Sequence, residues 1–121
     1  MAYNFRKPVP LILDFDIMTH FMEAFLPGRT PDQRKDPSMS PMYKDLTALK
    51  LPSALFTCGT EDCLLDDTVF MGVKWQMAGA EAVVKIFPGG PHGFCMFPPA
   101  QAEVAREGMD VIKRYLVSKL G

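Results

Sequence analysis

His92 stands in the stretch "FPGGPHGFCMFPPA", residues 87–100, and is one of two histidines in the chain. Imidazole is the side chain whose ordinary pKa lets it take and return a proton near neutral pH. A general base must meet its substrate at a fixed angle, and a bend rich in Pro and Gly restricts the backbone enough to present it so. Upstream, "GTEDCLLDD", residues 59–67, offers the carboxylates Glu61, Asp62, Asp66 and Asp67. A carboxylate beside an imidazole fixes its tautomer and stabilises the imidazolium formed during proton transfer. Asp62 follows the strand turn directly and is the better partner for His92; Asp66 or Asp67 can cap the next helix, and Glu61 can be solvated. The residues alone leave a second use of His92 open, a loop ring that satisfies nearby carbonyls. His20, inside a predicted helix, reads as a surface or packing residue. The acidic cluster shows no ligand spacing with His92, so neither a metal nor a cofactor is expected.

Cys58, Cys63 and Cys95 are odd in number and lack the paired short spacing of structural zinc. They read as free thiols in a reducing compartment. Cys63 directly follows Asp62, and Cys95 lies in the His92 loop, so both fall near the presumed site. A nucleophile needs a base aimed at it and an oxyanion hole beyond it, and no such frame is visible around either thiol. Both read as loop packing.

Several elements must hold these residues. "PVPLILDF", 8–15, reads as a buried strand. "DIMTHFMEAFL", 16–26, reads as a helix with Ile17, Phe21, Phe25, Met18 and Met22 on one face, stopped by "PGRTP". The Pro-rich stretch 27–52 reads as an ordered connection, with Met39, Met42, Tyr43 and Leu46 to bury. "ALFTCG", 54–59, is a second strand. "DDTVFMGVKWQMAG", 66–79, is a helix with Val69, Phe70, Val73 and Met77 inward and Gly79 as its stop. "EAVVKIFPG", 81–89, is a third strand, and a last helix runs from about Ala100 to Leu120 on Ala105, Met109, Ile112, Leu116 and Leu120. Strands alternating with amphipathic helices predict an α/β fold with a parallel sheet. Such sheets bind ligands beyond the carboxyl ends of their strands, where the Asp62 and His92 loops fall.

The chain of 121 residues suits one domain over 1–121. Its net charge of −1, with Lys and Arg interleaved among Asp and Glu, argues against a nucleic-acid partner. The longest apolar run, "VPLIL" at 9–13, is far short of the roughly 20 residues that span a bilayer, and no charged-then-apolar leader precedes it. A soluble, cytoplasmic protein with no membrane span is expected.

"DPSMSPMYKDLTALKLPSALFTCGTEDCLLDD" followed by "AGAEAVVKIFPGGPHGF" closely resembles the C-terminal part of α/β-hydrolase-fold serine carboxylesterases and lipases of the hormone-sensitive-lipase-like group. The resemblance covers about Gly28 to Leu120. It implies a partial α/β-hydrolase fold, about three parallel strands with flanking helices from the C-terminal half of the sheet. In the family, the aspartate of a D-P-L triplet and the histidine of "HGF" complete a triad with a serine, which carries over as Asp62 and His92. Cys63 stands where the family has proline, which predicts a less rigid turn after Asp62. The family's serine lies in a G-x-S-x-G elbow and its oxyanion donors further upstream. Neither motif occurs here, and Ser38, Ser40, Ser53 and Ser118 are not flanked by glycines. The resemblance therefore implies a piece that supplies acid and base to a small-ester hydrolase whose nucleophile comes from elsewhere. The alternative is a catalytically inactive, truncated module used in binding or oligomerisation. The first strand would present an unpaired edge. Association follows, with the missing N-terminal half or with a second copy. A dimer that recruits Cys95 or Ser40 as nucleophile is a further reading.

Overall fold

The computed structural model describes residues 12–121. Its elements in chain order are helix α1 (Phe15–Phe25), strand β1 (Ala54–Gly59), helix α2 (Leu65–Met77), strand β2 (Ala82–Phe87) and helix α3 (Glu103–Leu120). Short 3-10 turns lie at Gln33–Lys35, Pro41–Tyr43 and Phe94–Met96. Most of the expected strand 8–15 lies outside the described residues. Its described end is irregular, and Phe15 already opens α1, because Asp14 caps that helix by accepting a 2.8 Å hydrogen bond from Ile17 N–H.

β1 and β2 pair in parallel from Ala54↔Ala82 to Gly59↔Phe87, joined through α2. Their Val, Ile and Phe content favours extended backbone, and the crossover helix is what a parallel pair requires. Successive side chains alternate between faces, so Phe56 and Val84 point to one side and Phe87 to the other. α2 presses on the first side at Gly72, where a Cβ would sit 2.3 Å from Val84 Cγ2. Trp75 from the same helix packs edge-on against Phe56, with ring centroids 5.8 Å apart, and its indole N–H donates to Pro52 O at 2.8 Å. On the other side Phe87 packs on Phe94, centroids 5.0 Å apart, and Phe94 in turn meets α3 at Gly108. The sheet is thus sandwiched between helices.

The inward faces of the helices differ from the expected ones. In α2 the expected Phe70, Val73 and Met77 are exposed, Met77 by 79%. The face on the sheet runs instead through Thr68, Gly72 and Trp75, because close approach needs a residue without a side chain at its centre. In α1 Ile17, Phe21 and Phe25 are exposed, while Met18 and Met22 are half-buried. α3 buries Ala105 and Gly108 and half-buries Met109 and Ile112, but Leu116 and Leu120 lie in the open. In the connection Leu46 is buried and Met39 and Met42 are half-buried, whereas Tyr43 is exposed. Lys74 Nζ ties that connection to α2 by donating to Met42 O at 2.8 Å.

Candidate functional site

Asp62 and His92 lie three and five residues beyond the last residues of β1 and β2. Parallel, in-register pairing brings both strand ends to the same edge of the sheet. The loops that leave them are tied together by backbone bonds: Thr60 N–H donates to Phe87 O at 3.0 Å, and Glu61 N–H donates to Gly90 O at 3.0 Å. Their backbones touch at Gly59 and Gly90, where no side chain fits between them.

Asp62 Oδ2 stands 3.0 Å from His92 Nδ1. A carboxylate only accepts, so Nδ1 carries the proton and Nε2 of the neutral ring keeps its lone pair. The Asp62 side chain is 8% exposed and the His92 side chain 40% exposed. The carboxylate is therefore shielded while the ring remains open to a reactant. Asp62 Oδ1 accepts from Leu64 N–H at 2.9 Å, so both carboxylate oxygens are engaged. That bond closes an Asx turn across Cys63, which holds the turn that a proline would otherwise stiffen.

The bend around His92 is fixed on both sides. Pro91 is buried, and Gly93 takes φ +67°, a left-handed conformation that glycine adopts without the Cβ penalty. Phe94 follows, buried against Phe87 and α3, and anchors the loop in the core. Met96 is exposed.

The remaining candidates fall elsewhere. Leu64 occupies the N-cap of α2 with no side-chain cap bond, and Asp66 and Asp67 lie in its first turn. His20 is exposed on α1. Among the described residues no group of three or more His, Cys, Asp or Glu could hold a metal ion. Burial pushes the Cys58 and Cys63 thiols up to about 11, helped in each by the Asp62 charge, and burial also raises Cys95. All three are protonated at neutral pH, the opposite of an activated nucleophile. Ser38 donates its hydroxyl to Asp36 at 2.6 Å and Ser118 to Tyr115 O at 2.7 Å.

Sequence reasoning passed over Thr60. Its hydroxyl accepts from Gly89 N–H at 2.9 Å across the two loops, yet nothing in the spacing of a single threonine marks that role. It also passed over a cleft of about 460 Å³ between α1 and the 31–43 segment, lined by Met18, Met22, Met42, Arg34 and Asp67 among others. The signal for it was the methionine stripe of α1. Neither Asp62 nor His92 lines this cleft.

Residues 4–96 match the family described as the alpha/beta hydrolase fold. The chain belongs to the α/β-hydrolase fold family. Among curated proteins, none matches this α/β-hydrolase-fold chain. Solved structures similar to it include a thermophilic and thermostable carboxylesterase cloned from a metagenomic library, at 28% identity and TM-score 0.84, covering 98% of this chain and 38% of that one. A hormone-sensitive lipase from a metagenome library matches at 28% identity and TM-score 0.77, with 89% of this chain and 34% of that one covered. An esterase of Pyrobaculum calidifontis matches at 29% identity and TM-score 0.79, with 91% and 34% covered. The α/β-hydrolase-fold chain thus spans little more than a third of the length of these relatives and is esterase- and lipase-like over that part. No described helix is long and apolar enough to cross a membrane.

Proposed function

We propose that this chain supplies the acid and base of a serine carboxylic ester hydrolase, as a single C-terminal α/β-hydrolase-like unit over residues 1–121. The observation that carries the reading is the 3.0 Å contact between His92 Nδ1 and a shielded Asp62 carboxylate at the carboxyl ends of adjacent parallel strands. In this role His92 Nε2 takes the proton of a serine hydroxyl as that oxygen attacks the ester carbonyl. The same nitrogen later protonates the departing alcohol, and Asp62 steadies the imidazolium between the two transfers. The substrate is a small ester. The serine and the oxyanion donors belong to a segment outside these 121 residues, and a cytoplasmic setting suits three free thiols.

The occupant of the exposed apolar surface is, on this reading, the nucleophile-bearing N-terminal half. The stripe Phe70, Val73 and Met77 on α2 supports it, since contiguous exposed apolar side chains mark surfaces that another body covers. Self-association is the competing arrangement.

Mixing the chain with a segment that carries a Gly-rich oxyanion loop and a G-x-S-x-G elbow tests this reading. Hydrolysis of a short p-nitrophenyl ester is expected in the mixture and not in either component, with a loss of about 10³-fold or more in His92→Ala. Undiminished turnover in that variant overturns the assignment. A mixture that forms a complex but never turns over favours the second reading, an inactive module used in binding.

A further inference from the structure

We propose that Thr60 is a positioning residue that sets the start of the His92 bend and so keeps the ring on Asp62; its catalytic meaning rests on the reading above, its structural meaning does not. Beyond Gly59 and Phe87 the two strands no longer form a ladder, and the loops part company unless something joins them. Backbone bonds from Thr60 N–H to Phe87 O and from Glu61 N–H to Gly90 O join them at their roots. Side chains add the Asp62–His92 bond and the bond from Gly89 N–H to Thr60 Oγ1.

Gly89 is where the bend turns, with φ +74°, three residues before His92. A hydrogen bond at that point sets the direction in which the chain leaves β2, together with the backbone bonds at Phe87 and Gly90 and the core anchoring of Phe94. A hydroxyl keeps two lone pairs whatever its proton does, so Thr60 Oγ1 accepts from Gly89 N–H while Glu61 Oε1 stands 3.4 Å away. Thr60 thus acts on the acid–base pair through the backbone of the His92 loop, without touching the ring. A bend whose root is loose lets the imidazole swing from the carboxylate.

The test compares Thr60→Val, which keeps the shape and removes the acceptor, with Thr60→Ser, which keeps the hydroxyl, in the 121-residue chain. Hydrogen exchange reads the Gly89 amide, and proton NMR reads the His92 Nδ1 proton, which moves far downfield when it is bonded to a carboxylate. Thr60→Val is expected to speed Gly89 exchange by about tenfold or more and to broaden or abolish the His92 signal; Thr60→Ser is expected to restore both. Thr60→Ala, run alongside, gives the same readouts if the valine variant does not fold. Unchanged Gly89 exchange, an unchanged His92 signal in Thr60→Val and Thr60→Ala, or a serine variant as impaired as valine overturns the proposal. In the esterase assembled with its nucleophile segment, Thr60→Val is expected to lower kcat by about tenfold to a hundredfold with KM unchanged. If Thr60→Val is silent there while His92→Ala is inactive, only this proposal fails. If His92→Ala remains active, the acid–base reading itself fails.

Discussion

Gly59 and Gly90 meet so closely that a Cβ on Gly59 would lie 1.8 Å from the Gly90 carbonyl oxygen. The obstacle is main chain, which cannot turn aside as a side chain can. The acid and histidine loops are therefore held together partly by the lack of anything between them.

Gly59→Ala is accordingly expected to cost about 3 kcal/mol or more, at the upper end of overpacking effects, because the two loops must separate to admit one methyl group. Gly90→Ala should cost less, since its Cβ would stand 3.2 Å from Gly59 Cα and 3.3 Å from the Phe94 ring. Urea unfolding followed by the fluorescence of Trp75, the single tryptophan, ranks the two. Equal midpoints for both variants would contradict this account.

If Asp62 plays the proposed role, Asp62→Asn, which changes one atom of the buried partner, is expected to lower kcat of the chain assembled with a nucleophile segment by about 10⁴-fold while the chain still folds. An amide nitrogen turned toward Nδ1 donates to it, which leaves the proton on Nε2, where the proposed mechanism needs an acceptor for the serine hydroxyl. Steady-state hydrolysis at saturating ester, with circular dichroism as the folding control, measures it.

Gly108→Ala probes how α3 anchors the His92 loop. The added Cβ would lie 2.6 Å from Phe94 Cε2 and 2.8 Å from Cys95 Sγ, both side-chain atoms, so a loss of about 1–3 kcal/mol is expected. Phe94→Leu removes part of the obstruction, and the double variant should be more stable than the sum of the single losses implies. Strict additivity in urea midpoints would show that the two residues do not press on each other.

The buried thiols give the fold an alkaline weakness. Cys58 and Cys63 hold their protons up to about 11 in the folded chain, against an ordinary value of 9.0. The folded state binds these protons more tightly than the unfolded one, so their stabilising effect is fully present below pH 9 and is lost as pH rises through 11. The unfolding midpoint should therefore fall between those values, and fall less in the Cys58→Ala/Cys63→Ala chain. An identical decline in both proteins would show that other groups cause it.

The β-branched run at 82–87 and the apolar run at 54–59 declared the two strands, because parallel strands buried between helices need such side chains on both faces. The rule that loops beyond parallel strand ends gather at one edge put Asp62 and His92 in the same place, but the residues alone left a packing use of the ring open. The inner face of α2 was not legible in the same way. Phe70, Val73 and Met77 follow helical periodicity, but periodicity counts apolar side chains and not the space they occupy, and the sheet accepts Gly72 where it has no room for phenylalanine. Thr60 was hidden for a related reason. Its role depends on a hydrogen bond to a glycine 29 residues away, which no local pattern encodes.

Asp62 and His92 are separated by 30 residues, and everything between them is α2, β2 and their turns. Seen as a problem in folding kinetics, closing that contact means closing one loop of modest length, whose entropic cost grows only slowly with size. The crossover helix can form early from local contacts and bring β2 alongside β1. The Asp62–His92 contact is thus completed within one βαβ unit when β2 docks beside β1, and it needs no contribution from a more distant segment.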